Sequence, residues 1–257
     1  PEAFTKALEG ATLPAEVAKV GEREISSSGR KEEALLAALN TAGGLGEART
    51  SLSDAEMATL LKAVQENGDA KRGRKHYRAL GCFQCHAIAG AGGVLGPDMT
   101  SIGGSAQIDY LIDSNYFPDK AIKEGFHSLL VENKDYELFS GIKVSETDTE
   151  LVLRSATNPE IRIPLDTIET RDDGGSLMPS GLVDGLLENE FVDLVRFMVE
   201  LGKEGDFKTS NQRFARKWDL LPVNSPNPGT IHHYGAKMFT QEFDGYAWKP
   251  FYAMVGG

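Results

Sequence analysis

Cys82-Phe83-Gln84-Cys85-His86 is the stretch around which the rest of the chain is arranged. A C-x-x-C-H run reads as the attachment site of a c-type haem. Two thiols at this spacing reach the vinyl groups along one edge of a porphyrin, and the adjacent imidazole lies beneath the iron as its proximal ligand. A zinc site would need further thiolates, but Cys82 and Cys85 are the only cysteines. A thioredoxin-like dithiol would need a βαβ context, which the flanking sequence lacks. Both cysteines are then consumed by one covalent haem c, leaving no disulfide.

Working outward, Asp69 can cap a helix running toward Leu80, with Gly73, Tyr77 and Leu80 on one face. A mid-helix glycine costs about 1 kcal/mol relative to alanine, so Gly73 points to a close helix crossing. The expected partner is a helix over about 188–201, bearing Phe191, Leu194, Val195 and Met198 on one face. Glu188 and Glu190 stand where its dipole favours negative charge. After His86 comes the glycine-rich loop Gly90–Asp98, which lets the backbone run close to a flat cofactor. A proximal histidine needs its second ring nitrogen held, and the Pro97 carbonyl is the candidate. A further helix is expected from about Gln107 to Asn115.

For the sixth iron ligand there are six methionines and four histidines besides His86. Met57 and Met198 lie on helix faces as core residues. Met99 follows His86 by thirteen residues, on the proximal side. Met238 and Met254 lie in the tail. His127, His232 and His233 read as surface residues, and His76 as the outer face of its helix. Met178 lies in a constrained loop stiffened by Pro179. Subtracting a β segment of roughly 45 residues from the 92 between His86 and Met178 leaves an ordinary separation.

That segment begins where helix periodicity gives way to strand periodicity. Ser128–Asn133, Glu137–Val144, Thr149–Ala156 and Glu160–Pro164 are strand-like runs separated by turn signals, an antiparallel meander of four or five strands. Asp172–Gly175 is expected to lead the chain out of it. Residues 1–66 look helical, with Ser53 and Glu56 as a capping box and Met57, Leu60, Leu61 and Val64 at helical spacing. Residues 203–257 hold both tryptophans and a cluster of aromatics, including Phe239, Phe243, Tyr246 and Trp248. The expected fold class is mainly α with a β insertion. It is a class I-like cytochrome c fold interrupted by a small antiparallel meander, with extra N-terminal helices. The expected divisions are an N-terminal helical segment (1–66), a haem domain (67–202) with the insertion at about 126–170, and an aromatic-rich extension (203–257), truncated or packed back on the body.

Composition narrows the function classes. The chain is 257 residues long, with 40% apolar and 25% charged residues, an ordinary soluble balance. No apolar run approaches the ~20 residues of a membrane span. Net charge of −11 argues against nucleic acid, which needs a basic face. Residues 135–173 hold ten Asp/Glu against four Lys/Arg, so the insertion is either a cover over one haem edge or an acidic surface steering a basic partner. Asp135, Glu137, Glu146, Asp148 and Glu150 would carry that steering. The chain opens on Pro1 without a signal peptide. Haem attachment follows export in bacteria, so the expectation is a periplasmic or otherwise exported protein whose targeting segment is missing here.

The sequence resembles the haem-binding domain found at the C-terminal end of large exported proteins of planctomycetes and verrucomicrobia. That domain is often attached to dehydrogenase-like propeller domains and helical repeats. The resemblance covers about 68–202. It is carried by Gly68-Asp69-Ala70, Cys82–His86, Gly96-Pro97-Asp98-Met99-Thr100, Ile102-Gly103, Tyr110-Leu111-Ile112, Ile122–Phe126, Ser140-Gly141, Ser145-Glu146, Ser176–Pro179 with Gly181-Leu182, and Glu190–Phe197. It implies a His/Met low-spin monohaem cytochrome c, with Cys82 and Cys85 as anchors and His86 and Met178 as axial ligands. It implies electron transfer from a substrate-oxidising partner or fused dehydrogenase domain; whether the chain by itself is an enzyme stays open, the expectation being an electron-transfer domain, of a larger dehydrogenase where one is fused. Met99 stands where leucine is usual, which makes it a rival ligand. Leu187 stands where Ser or Thr would cap the last helix, which implies a weaker helix start. The competing readings are a haem-based sensor or enzyme with a displaceable distal methionine, and a binding module built on the β insertion. A two-haem peroxidase is disfavoured by the single attachment motif.

Overall fold

A computed structural model describes residues 2–27, 32–45, 49–156, 160–208, 217–220 and 249–252. Three helices open the chain: α1 (Glu2–Leu8), α2 (Ala15–Ser27) and α3 (Glu33–Gly43). Helix α4 (Asp54–Glu66) starts on the expected capping box, in which the Ser53 hydroxyl accepts from Glu56 N and Glu56 Oε2 accepts from Ser53 N. Helix α5 (Ala70–Ala79) starts on Asp69, whose carboxylate accepts from Lys71 N and Arg72 N. The cysteine motif follows in a 3-10 turn (Cys82–Gln84), then come short α6 (Ile102–Ser105) and α7 (Ile108–Tyr116).

Helix α8 (Glu188–Glu200) is the axis of the helical body. Phe191, Leu194, Val195, Phe197 and Met198 are buried with Leu60, Val64, Tyr77 and Ile112 in one cluster. It crosses α5 at Gly73. A Cβ built there would lie 1.8 Å from Asp193 O and 2.9 Å from Phe197 Cβ, so only glycine permits this approach. The 2%-exposed Asp193 accepts from Asp69 N at 2.7 Å and from Arg72 Nε at 2.6 Å. Its buried charge is thereby paired and hydrogen-bonded. Tyr77 meets the Phe197 ring edge-on at 5.3 Å. The start of α8 lacks a hydroxyl cap, but other groups serve it. Glu190 Oε2 accepts from Leu187 N, and Glu16 Oε2, from α2, accepts from Glu188 N. Arg23 holds Glu190 through two hydrogen bonds.

Between α7 and α8 lie β1 (Ser128–Asn133), β2 (Leu138–Glu146), β3 (Glu150–Arg154), β4 (Ile161–Pro164) and β5 (Ile168–Gly175). They form one antiparallel sheet in the order β4-β3-β2-β1-β5. This overturns the expectation of a mainly α, class I-like cytochrome c fold with a small β insertion. With eight helices and this sheet among the described residues, the fold is mixed α/β, and the sheet is a substantial part of it. The sheet has its own core: Val131, Leu151, Leu153 and Ile163 are buried together, with Phe139, Leu165 and Ile168 packed on them.

The underestimate has a physical cause in β5. Glu169 to Asp173 are all exposed, so the strand shows no apolar alternation. An edge strand needs none, and charged side chains protect an edge from pairing with other chains. Asp172–Gly175, expected to lead out of the sheet, pairs with β1 from Leu130 back to Ser128. In the tail, β6 (Lys217–Leu220) pairs with β7 (Lys249–Tyr252). The aromatics at 239–248, His232, His233, Met238 and Met254 lie outside the described residues.

Candidate cofactor-binding site

The cysteine turn is wrapped by the loop that follows it. Gly93 N donates to Phe83 O, Gly96 N to Cys85 O, and Met99 N to Ala87 O. This loop fixes His86. Its Nδ1 lies 2.8 Å from Pro97 O, which as a carbonyl can only accept, so Nδ1 carries the proton and donates. Gly96 packs on the ring face: a Cβ there would sit 2.5 Å from Cε1 and 2.8 Å from Nε2. From the other side the buried Tyr77 hydroxyl donates to His86 O at 3.2 Å. Nε2 is left as the ring nitrogen with a free lone pair. Burial holds the imidazole pKa below its usual range, with the Pro97 bond opposing that shift, which favours the neutral, ligand-competent ring.

The two thiols are not bonded to each other. Burial pushes Cys82 up to about 11 and also raises Cys85. Reactive dithiols need depressed values, and neither sulfur has one here. Among the described residues, no group of three His, Cys, Asp or Glu could hold a metal ion by itself.

Cys82, Cys85, His86, Pro97 and Met178 all line one cleft of about 320 Å³. Its wall is mostly apolar, with Leu80, Leu95, Leu111 and Phe126 among its residues, as cofactor clefts are. No protein-family model matches this chain, and no curated protein matches it in sequence. The sheet also contributes, through the buried Ile142 of β2. Met99 and Met198 line the cleft too. Both are buried in the helical core, and Met198 Sδ lies 3.8 Å from Asn115 Nδ2. Met178 is half-buried in its loop, where its N–H donates to Ser176 Oγ. The Ser114 hydroxyl, also in the lining, is buried without a hydrogen-bond partner in the described structure. Two thiols, a neutral imidazole with Nε2 free, a thioether and an orphaned hydroxyl around one apolar cleft fit a c-type haem.

The sequence singled out five of these residues and missed others. Gly96 stood in a quoted motif, but its contact with the ring came from folding. Tyr77 and Ile142 gave no local signal, since each reaches the site from an element whose pattern announces only burial.

Proposed function

We propose that this protein is a monohaem c-type electron carrier, taking electrons from a substrate-oxidising partner or fused domain and passing them to a downstream acceptor. The observation that carries this reading is the state of His86 beside the two thiols: Nδ1 donates to Pro97 O, Gly96 backs the ring, and Nε2 is free. Haem bound here supplies reversible one-electron chemistry at its iron. Cys82 and Cys85 would hold it covalently through their two sulfurs. Addition of each S–H across one vinyl group would be redox-neutral and would need no oxidant. His86 would hold the iron through Nε2, and the Pro97 carbonyl holds the ring in the tautomer that allows it. Met178 would hold the group from the facing loop through its thioether, a ligand type that favours the reduced iron. The apolar wall disfavours water around a group bound in the cleft.

The test is expression in an exporting bacterial host that attaches haem. The denatured chain should retain one haem through acid–organic extraction, and the double variant Cys82→Ser/Cys85→Ser should lose it. The oxidised protein should show a sulfur-to-iron charge-transfer band in the red. Met178→Ala should keep the haem, lose the band and bind carbon monoxide. An exported chain without haem refutes the reading. Because attachment takes place after export, the proposed location is periplasmic or otherwise extracytoplasmic. The proposed partner presents a basic face. On this chain, Glu146 and Glu150 are already paired with Arg171 and Arg162, which leaves Asp135, Glu137, Asp148, Asp166, Glu169, Asp172 and Asp173 as the exposed acids of this region to steer it.

A further inference from the structure

Met178 belongs to no helix or strand, yet its loop is tied to the rest of the molecule at its base. Strand β5 ends at Gly175, two residues before Leu177. There the Ser128 hydroxyl donates to Gly175 O at 3.0 Å. The next backbone N–H, that of Ser176, donates to Asp119 Oδ1 at 2.7 Å, across 57 residues of chain. The Ser176 hydroxyl then accepts from Met178 N at 3.1 Å. The relay runs from a carboxylate, through two adjacent polar groups of Ser176, to the backbone of the methionine.

Asp119 stands in the segment between α7 and β1, where Pro118, Ala121, Ile122 and Phe126 form one wall of the cleft. Leu177, Met178, Pro179 and Leu182 form part of another. The Asp119–Ser176 bond therefore staples two walls together at the end of β5. Gly175 makes room for it: its φ is +76°, and a Cβ there would lie 2.7 Å from Asp119 Oδ1. A side chain at 175 would meet the carboxylate as well as strain the backbone.

We infer that Asp119 is a positioning residue for Met178, and that one task of the five-stranded sheet is to mount the loop carrying this ligand. The inference rests on the haem reading above. Asp119 is not among the residues lining the cleft and acts through Ser176. It accepts through one oxygen, so an amide oxygen can replace the carboxylate while alanine cannot.

The experiment uses the holoprotein and three variants: Asp119→Ala, Asp119→Asn and Gly175→Ala. The readouts are the red charge-transfer band, the midpoint potential, and binding of carbon monoxide to the reduced and imidazole to the oxidised protein. Asp119→Ala should weaken the band, lower the potential and bind both probes roughly three- to tenfold more tightly, the range for losing one exposed hydrogen bond. Asp119→Asn should restore wild-type behaviour. Gly175→Ala, which crowds the same bond from the other side, should match Asp119→Ala and keeps the test open if that variant does not fold. A wild-type band and wild-type probe affinities in Asp119→Ala overturn the inference while leaving the haem reading intact. Equal losses in the Asn and Ala variants overturn the acceptor role. A wild-type holoprotein without the band removes Met178 as ligand, and the failure then belongs to the reading on which this one rests.

Discussion

At the scale of single residues, the site depends on what is absent at Gly96. The imidazole of His86 occupies the volume a side chain would take, with Cε1, Nδ1 and Nε2 all within 2.8 Å of a built Cβ. Gly96→Ala must therefore displace the ring or the loop, and overpacking of this kind costs about 1–3 kcal/mol. Urea unfolding of the variant should show that loss, and its haem spectrum should show altered axial ligation. Gly104→Ala is the control: no atom lies within 4 Å of a Cβ there, and its position in α6 favours alanine by roughly 0.5–1 kcal/mol. A Gly96→Ala protein with unchanged stability and spectrum would falsify the packing role.

At the scale of elements, the α5–α8 crossing and the β2–β5 charge pairing make different demands. In α5, a Cβ at Gly73 collides with backbone, Asp193 O at 1.8 Å, which cannot rotate away. Gly73→Ala should destabilise by about 1–3 kcal/mol or more, despite the gain in helix propensity. Denaturant midpoints would reveal it, and a stabilised variant would show that the helices part freely. In the sheet, Glu146 of β2 is held down to about 2, first by its hydrogen bonds to Arg171 of β5 and then by Lys143. A depressed carboxyl contributes stability that is complete above its ordinary value, about 4.5, and is lost as pH falls through about 2. Acid titration followed by strand amide signals should show wild-type sheet stability declining through that window. Glu146→Gln should decline less steeply; parallel curves would count against the pairing.

At the scale of the whole molecule, two cores coexist. The helical core runs along α8, and the sheet closes its own around Val131, Leu151, Leu153 and Ile163. They meet at the cleft, which Ile142 lines, at the bond from Arg154 Nη1 to Val94 O in the loop after the cysteine turn, and at the Asp119–Ser176 bond beside the end of β5. Leu153 is fully buried, and Leu153→Ala should cost about 2–5 kcal/mol. Hydrogen exchange should locate that loss in β1 to β4 while amides of α5 and α8 keep their protection, as expected of separate cooperative units. A uniform loss across both would show one unit. The same division gives the sheet a mechanical role, since β5 ends where the Met178 loop begins.

What the sequence determined by itself lies within a few residues of chain. The C-x-x-C-H spacing, the Ser53–Glu56 capping box, the Asp69 cap and the glycine that marks the α5–α8 crossing are each legible because their physics is local: side-chain reach, helix periodicity or a missing Cβ. Four of the five strands were legible for the same reason. The tertiary structure alone decided the rest. β5 is a polar edge strand whose pairing energy resides in β1, some forty residues earlier, so its own residues show no period. The Gly96–His86 contact depends on a loop folding back over the cysteine turn, and the Asp119–Ser176 bond joins groups 57 residues apart. A hydrogen bond or a close packing contact depends on where the chain returns in space, and a one-dimensional pattern carries no term for that.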